Sequence, residues 1–137
     1  MNKLPIIAML ITASMFAGFA VWLGSNPIAL LQTFGVEQSN SRMLTEIRAF
    51  YGGIELAIGV LMLLLWCRQE RTASLLVGAF PLLGSVCGRC LGILVDGFDS
   101  THLILAGFEF GGASFCLLGC YLLGKCQRPG VPASEGH

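Results

Sequence analysis

The chain has 137 residues, of which 55% are hydrophobic and 12% charged, with a formal net charge of zero and a mean hydropathy of +0.76. Soluble domains carry about 25% charged residues, so this composition excludes a water-soluble globule, a disordered chain and a nucleic-acid binder. Since about 20 apolar residues cross a bilayer as one helix, the length suits an all-α integral membrane four-helix bundle with short connections, a single domain over residues 1–124.

The first charge-free run, residues 4–36, is interrupted by Ser25, Asn26 and Pro27, a helix stop followed by a start with Pro at the first helical position. It predicts a span over 4–23 and a short interfacial helix near 27–34. Lys3, the apolar run and the small residues at 17–20 also have the form of a secretory signal with its cleavage site. The length of the run, and Trp22 as an interfacial anchor, favour a span.

After the polar stretch 37–45, a second span is expected over 47–67, carrying Arg48 and Glu55, and it ends at the polar turn of Arg68, Gln69, Glu70 and Arg71. The third span, 72–95, carries Arg89 and stops at Asp96, Gly97, Phe98, Asp99 and Ser100, a group rich in helix breakers. The fourth, 102–123, carries Glu109. From Lys125 onward the prolines and glycines predict a disordered tail.

Orientation follows from Lys and Arg. Lys3, Arg68, Arg71, Lys125 and Arg128 fall on one side of the four spans, so the positive-inside rule predicts cytoplasmic termini and an outward-facing Asp96 turn. Small residues at helical spacing, Gly84, Gly88 and Gly92 on the third span, Ala49, Gly53 and Ala57 on the second, and Gly107 and Gly111 on the fourth, are expected to let helices approach closely. The same faces would serve contacts between copies of the chain. The pairs Gly52-Gly53 and Gly111-Gly112 weaken a helix locally and leave room for a kink or a ligand.

Charged groups inside a membrane cost about 2.5–3.5 kcal/mol each on an insertion scale, which singles out Glu55, Arg89 and Glu109. Arg48 to Glu55, Arg89 to Asp96 and His102 to Glu109 are each seven residues, two α-helical turns on nearly one face. The antiparallel order of the spans then brings Glu55, Arg89 and Glu109 to one depth, below a mouth of Glu46, Arg48, Asp96 and His102. Tyr51, one turn from Glu55, either joins this group or anchors the interface. Two carboxylates beside one arginine would leave one carboxylate protonated and the other ionised, a general acid and base for a small lipophilic substrate. The same groups could carry a proton for transport, or simply fix helix packing.

Cys87-Gly88-Arg89-Cys90 has the C-x-x-C spacing of redox thiols. On a helix, however, Cys87 points away from Arg89, and neither outer connection holds a cysteine, so apolar filling is the expected role. Nucleotide loops, metalloprotease and hydrolase motifs are missing, and with two histidines no metal and no cofactor is expected.

The run Glu46-Ile-Arg48-Ala-Phe-Tyr51-Gly-Gly-Ile-Glu55, followed by Gly88-Arg89 and Asp96-Gly97, resembles the four-span domain-of-unknown-function family 4345, over about residues 4–123. The resemblance implies a membrane bundle loosely similar to the DoxX-like group, with Glu46, Arg48, Tyr51, Glu55, Arg89 and Asp96 as its site. In residue type alone, the acid, arginine and acid also resemble the cluster of limonene-type epoxide hydrolases. That likeness implies epoxide opening or isomerisation without a cofactor.

Overall fold

The computed structural model describes residues 3–127. Its helices are α1 (Leu4–Ser25), α2 (Pro27–Thr33), α3 (Ser41–Ile47), a π-helical segment (Arg48–Ile54), α4 (Glu55–Cys67), α5 (Arg71–Asp96) and α6 (Ser100–Gln127). Four stretches are long and apolar enough to cross a membrane: Leu4–Ser25, Ser41–Cys67, Arg71–Asp96 and Ser100–Lys125. The chain is an all-helical membrane four-helix bundle, with short α2 between its first two spans.

Local chemistry sets the ends. Pro27 opens α2 with its fixed φ. Asn40 caps α3, its side chain accepting from the Met43 N–H at 2.9 Å. The helix leading into the second span therefore begins at Ser41, inside the stretch read from sequence as a polar connection. Gln69 adopts a left-handed conformation (φ 66°) in the turn after α4, and the Arg71 Nη2 donates to its Oε1 at 2.8 Å. Residues Lys125–Gln127, assigned from sequence to the tail, continue α6; the rest of the expected tail, 128–137, lies outside the described residues.

Packing runs as a ring. α1 packs on α4 and α6, and α5 packs on α4 and α6, while α1 and α5 also touch across the short diagonal. α4 and α6 stand on the long diagonal. The core of Ala8, Met9, Ala13, Phe16, Met62, Leu75, Ala79 and Cys116 fills the half of the bundle near the α1 N-terminus. Two buried hydroxyls in that half are satisfied: Ser74 donates to the Met62 carbonyl at 2.7 Å, and Thr12 Oγ1 lies 3.2 Å from Cys116 Sγ. Large apolar side chains such as Phe80, Leu94, Val95 and Phe108 point outward, the pattern expected of a bundle solvated by lipid.

The glycines that bring helices together are not those expected. Gly84, Gly88, Gly107 and Gly111 have open space where a Cβ would stand, and Gly53 and Gly92 meet only their own helix. Close approach instead occurs where Gly52 meets Gly24 Cα (3.2 Å to the would-be Cβ), where Gly59 meets the Ala13 carbonyl (3.1 Å), and where Gly78 and Gly119 meet Met62 and Leu75. Spacing at i and i+4 reveals a small-residue face, but it does not say whether a neighbouring helix or lipid lies against that face.

Candidate functional site

The site lies in the half of the bundle that the apolar core does not fill. α5 and α6 run antiparallel, so Arg89, two turns before the end of α5, meets residues early in α6. Arg89 Nε and Nη2 grip the Glu109 carboxylate side-on, with Nε 2.9 Å from Oε2 and Nη2 2.9 Å from Oε1. The two side chains are only 17% and 18% exposed. The remaining Arg89 nitrogen, Nη1, lies 3.1 Å from His102 Nδ1. Because a guanidinium can only donate, Nδ1 is the acceptor of this bond. The imidazole also stacks on Phe34, with ring centroids 5.1 Å apart and planes 20° apart.

Ser85, one turn before Arg89, donates to Glu109 Oε1 at 2.8 Å. Glu109 is thus held by a fork and a hydroxyl together. At the entrance to α6, Asp99 Oδ1 accepts from the Thr101 N–H at 2.6 Å and from the His102 N–H at 3.4 Å. The Thr101 backbone and side-chain hydrogen bonds, then that of His102, hold the Asp99 carboxyl below its ordinary range.

A cavity of about 460 Å³ lies between the second span and α5, with Glu109 of α6 in its wall. Phe16 is its boundary with the apolar core. Glu46, Tyr51, Glu55, Ser85 and Glu109 supply its polar groups, and Phe50, Ile54, Ile58 and Pro81 are among its apolar lining. Pro81 has no N–H, so one hydrogen bond of the α5 ladder is missing beside the cavity. Glu55 Oε2 is buried and has no hydrogen-bond partner. One carboxylate is therefore fully engaged, whereas the other has an oxygen left free.

The expected site residues divide accordingly. Arg89, Glu109 and His102 form one network, and Glu46, Tyr51 and Glu55 join Glu109 around the cavity. Glu55 is not bonded to Arg89, so the expected acid, arginine and acid cluster is an ion pair facing a separate acid. Arg48 turns elsewhere: it is exposed, and its Nε donates to the Gly24 carbonyl at 3.3 Å. The cause is the π segment, whose i to i+5 bonding advances each residue by about 80° instead of about 100°. Seven such steps place Arg48 and Glu55 on nearly opposite sides, while Glu46, Tyr51 and Glu55 gather on one. Asp96 is exposed at the end of α5 and does not line the cavity.

Ser85, Phe34 and Pro81 were not singled out from the sequence. Ser85 lies at i−4 from Arg89 on the same face, and a proline inside an apolar helix is itself a signal. The Phe34 contact joins distant segments and leaves no local trace. Among the described residues no three His, Cys, Asp or Glu side chains gather as a metal site. Cys87 and Cys90 are free and exposed.

A bundle of four apolar helices defines a small multi-pass membrane protein. The family profile described as Domain of unknown function (DUF4345) matches residues 5–120, and the chain belongs to that family. No curated protein and no solved structure matches it.

Proposed function

We propose that the protein binds a small lipophilic molecule in the cavity between the second span and α5, and that Glu55 is the group that exchanges a proton with it. The single observation behind this reading is the buried, unpartnered Glu55 Oε2 beside an apolar space large enough for a small molecule. Burying a polar oxygen without a partner costs free energy, and a ligand donor would offset that cost. Glu109, held by Arg89 and Ser85, orients the guest, and Glu55 serves as the acid or base. Cofactor-free chemistry of the epoxide-opening or isomerisation type suits such a pair. In the proposed orientation, the cavity opens away from the end that carries Lys3, Arg68, Arg71 and Lys125.

A structural role suits the Arg89, Glu109 and His102 network, which is satisfied internally and ties α5 to α6. It does not account for Glu55, which ties nothing down. Native mass spectrometry of the purified full chain tests the proposal, comparing wild type with Glu55→Gln. Wild type should retain a lipophilic compound that a folded Glu55→Gln protein loses. An empty wild type, or retention unchanged in the variant, would overturn it. Proton flux into proteoliposomes that depends on Glu55 would instead favour transport by the same carboxylate.

A further inference from the structure

We infer that the occupant of this cavity is a cation, a lipophilic amine carried as its ammonium; the inference rests on the binding role proposed above. Three features of the walls carry it. The first is charge. Glu46, Glu55 and Glu109 line the cavity, and among the described residues lining it there is no lysine, arginine or histidine. Arg89 compensates Glu109, and Arg48 is turned toward the Gly24 carbonyl. Glu46 and Glu55 therefore have no basic partner within the cavity.

The second feature is the set of hydrogen-bonding groups. The Ser85 hydroxyl donates to Glu109, which leaves Glu55 with its free buried oxygen as an acceptor for any guest. A guest with donor protons or a positive centre complements such a wall, and a carboxylate or phosphate is repelled by it. The third is aromatic. Phe16, Phe50 and Tyr51 line the same space, and ring faces attract ammonium groups, an attraction that strengthens where water is excluded. Carboxylate and rings together select a positive centre, while Ile54, Ile58 and Leu82 accept its hydrocarbon.

Guests without a donor proton would find the same apolar contacts but would leave the free Glu55 oxygen without a partner. The cationic guest answers it without any movement of Arg48 or Arg89. The π segment contributes here, since it turns Arg48, the nearest basic residue in sequence, away from the acid it would otherwise neutralise.

Three adamantane derivatives of one shape test the charge alone: 1-adamantanamine, 1-adamantanol and 1-adamantanecarboxylate, titrated into the purified full chain in nanodiscs by calorimetry. The amine should bind about tenfold more tightly than the alcohol, the scale of one charge-assisted hydrogen bond, and the carboxylate should not bind. Glu55→Gln should bring amine and alcohol to similar affinity, and Phe50→Leu should weaken the amine more than the alcohol. If the alcohol binds as tightly as the amine, or if the preference survives Glu55→Gln, the cation assignment is overturned while the lipophilic pocket stands. If none of the three binds and wild type carries no retained compound, the pocket itself fails and the cation with it.

Discussion

Glu55 and Glu109 line one cavity from two helices that barely touch, yet their surroundings differ in kind: Glu109 is held by Arg89 and Ser85, and Glu55 keeps a buried oxygen without a partner. This asymmetry separates stability from function, and the variants of the two residues should diverge. A buried acceptor left unpaired costs about 1–3 kcal/mol. Glu55→Leu should therefore leave the bundle as stable as wild type or more so. Glu109→Leu strands the Arg89 guanidinium and should lower stability. Denaturation by sodium dodecyl sulfate, followed by circular dichroism, compares the two; equal losses would contradict the asymmetry.

Arg89→Ala removes four hydrogen bonds at once, three to Glu109 and one to His102. Losing one partner of a largely buried ion pair is expected to cost about 2–4 kcal/mol. Arg89→Lys should recover only part of it, because an ammonium cannot reproduce the planar fork. Recovery to wild-type stability in the same unfolding assay would show that charge alone is enough.

The glycines provide a paired test of helix packing. Gly59 stands against the Ala13 carbonyl, whereas Gly88 has open space around it. Gly59→Val should cost about 1–3 kcal/mol through overpacking, and Gly88→Val should change the stability of the single bundle by no more than about 0.5 kcal/mol. If Gly88→Val were the more damaging in the same unfolding assay, α5 would have a neighbour on that face.

Asp99 gives the cap of α6 a pH dependence of known sign. Hydrogen bonds from Thr101 and His102 lower its pKa in the folded chain, so the unfolded chain binds the proton more readily. The contribution is complete above the unfolded value of about 3.9 and is lost as pH falls through the lower folded value. Hydrogen exchange of the Thr101 and His102 amides should therefore gain protection as pH rises out of this acid range, after correction for intrinsic rates. Asp99→Asn, which caps without titrating, should flatten that dependence.

Hydropathy alone located the four spans because twenty apolar residues in a row admit few alternatives. Arg89, His102 and Glu109 were legible for a related reason: α5 and α6 are regular α-helices, and counting residues on a regular helix gives both depth and face. The same counting misplaced Arg48, since nothing in its composition distinguishes Arg48–Ile54 from an α-helical turn, apart from the Gly52-Gly53 pair. The small-residue stripes misled for another reason. A periodic face is a property of one helix, whereas packing is a property of two, and in α5 and α6 those stripes lie away from the neighbours.

The π segment makes the second span behave as two screws of different phase joined end to end. Across its seven residues the lag behind an α-helix accumulates to about two-fifths of a turn. Substitution tolerance along residues 41–67 should thus follow two helical rhythms with a displaced beat between them. A single-residue deletion within 48–54 would remove one residue's rotation, turning Glu46 and Glu55 relative to each other by about 80° while leaving the hydrophobic length almost unchanged. Insertion into the bilayer would tolerate that deletion. The alignment of the acids would not.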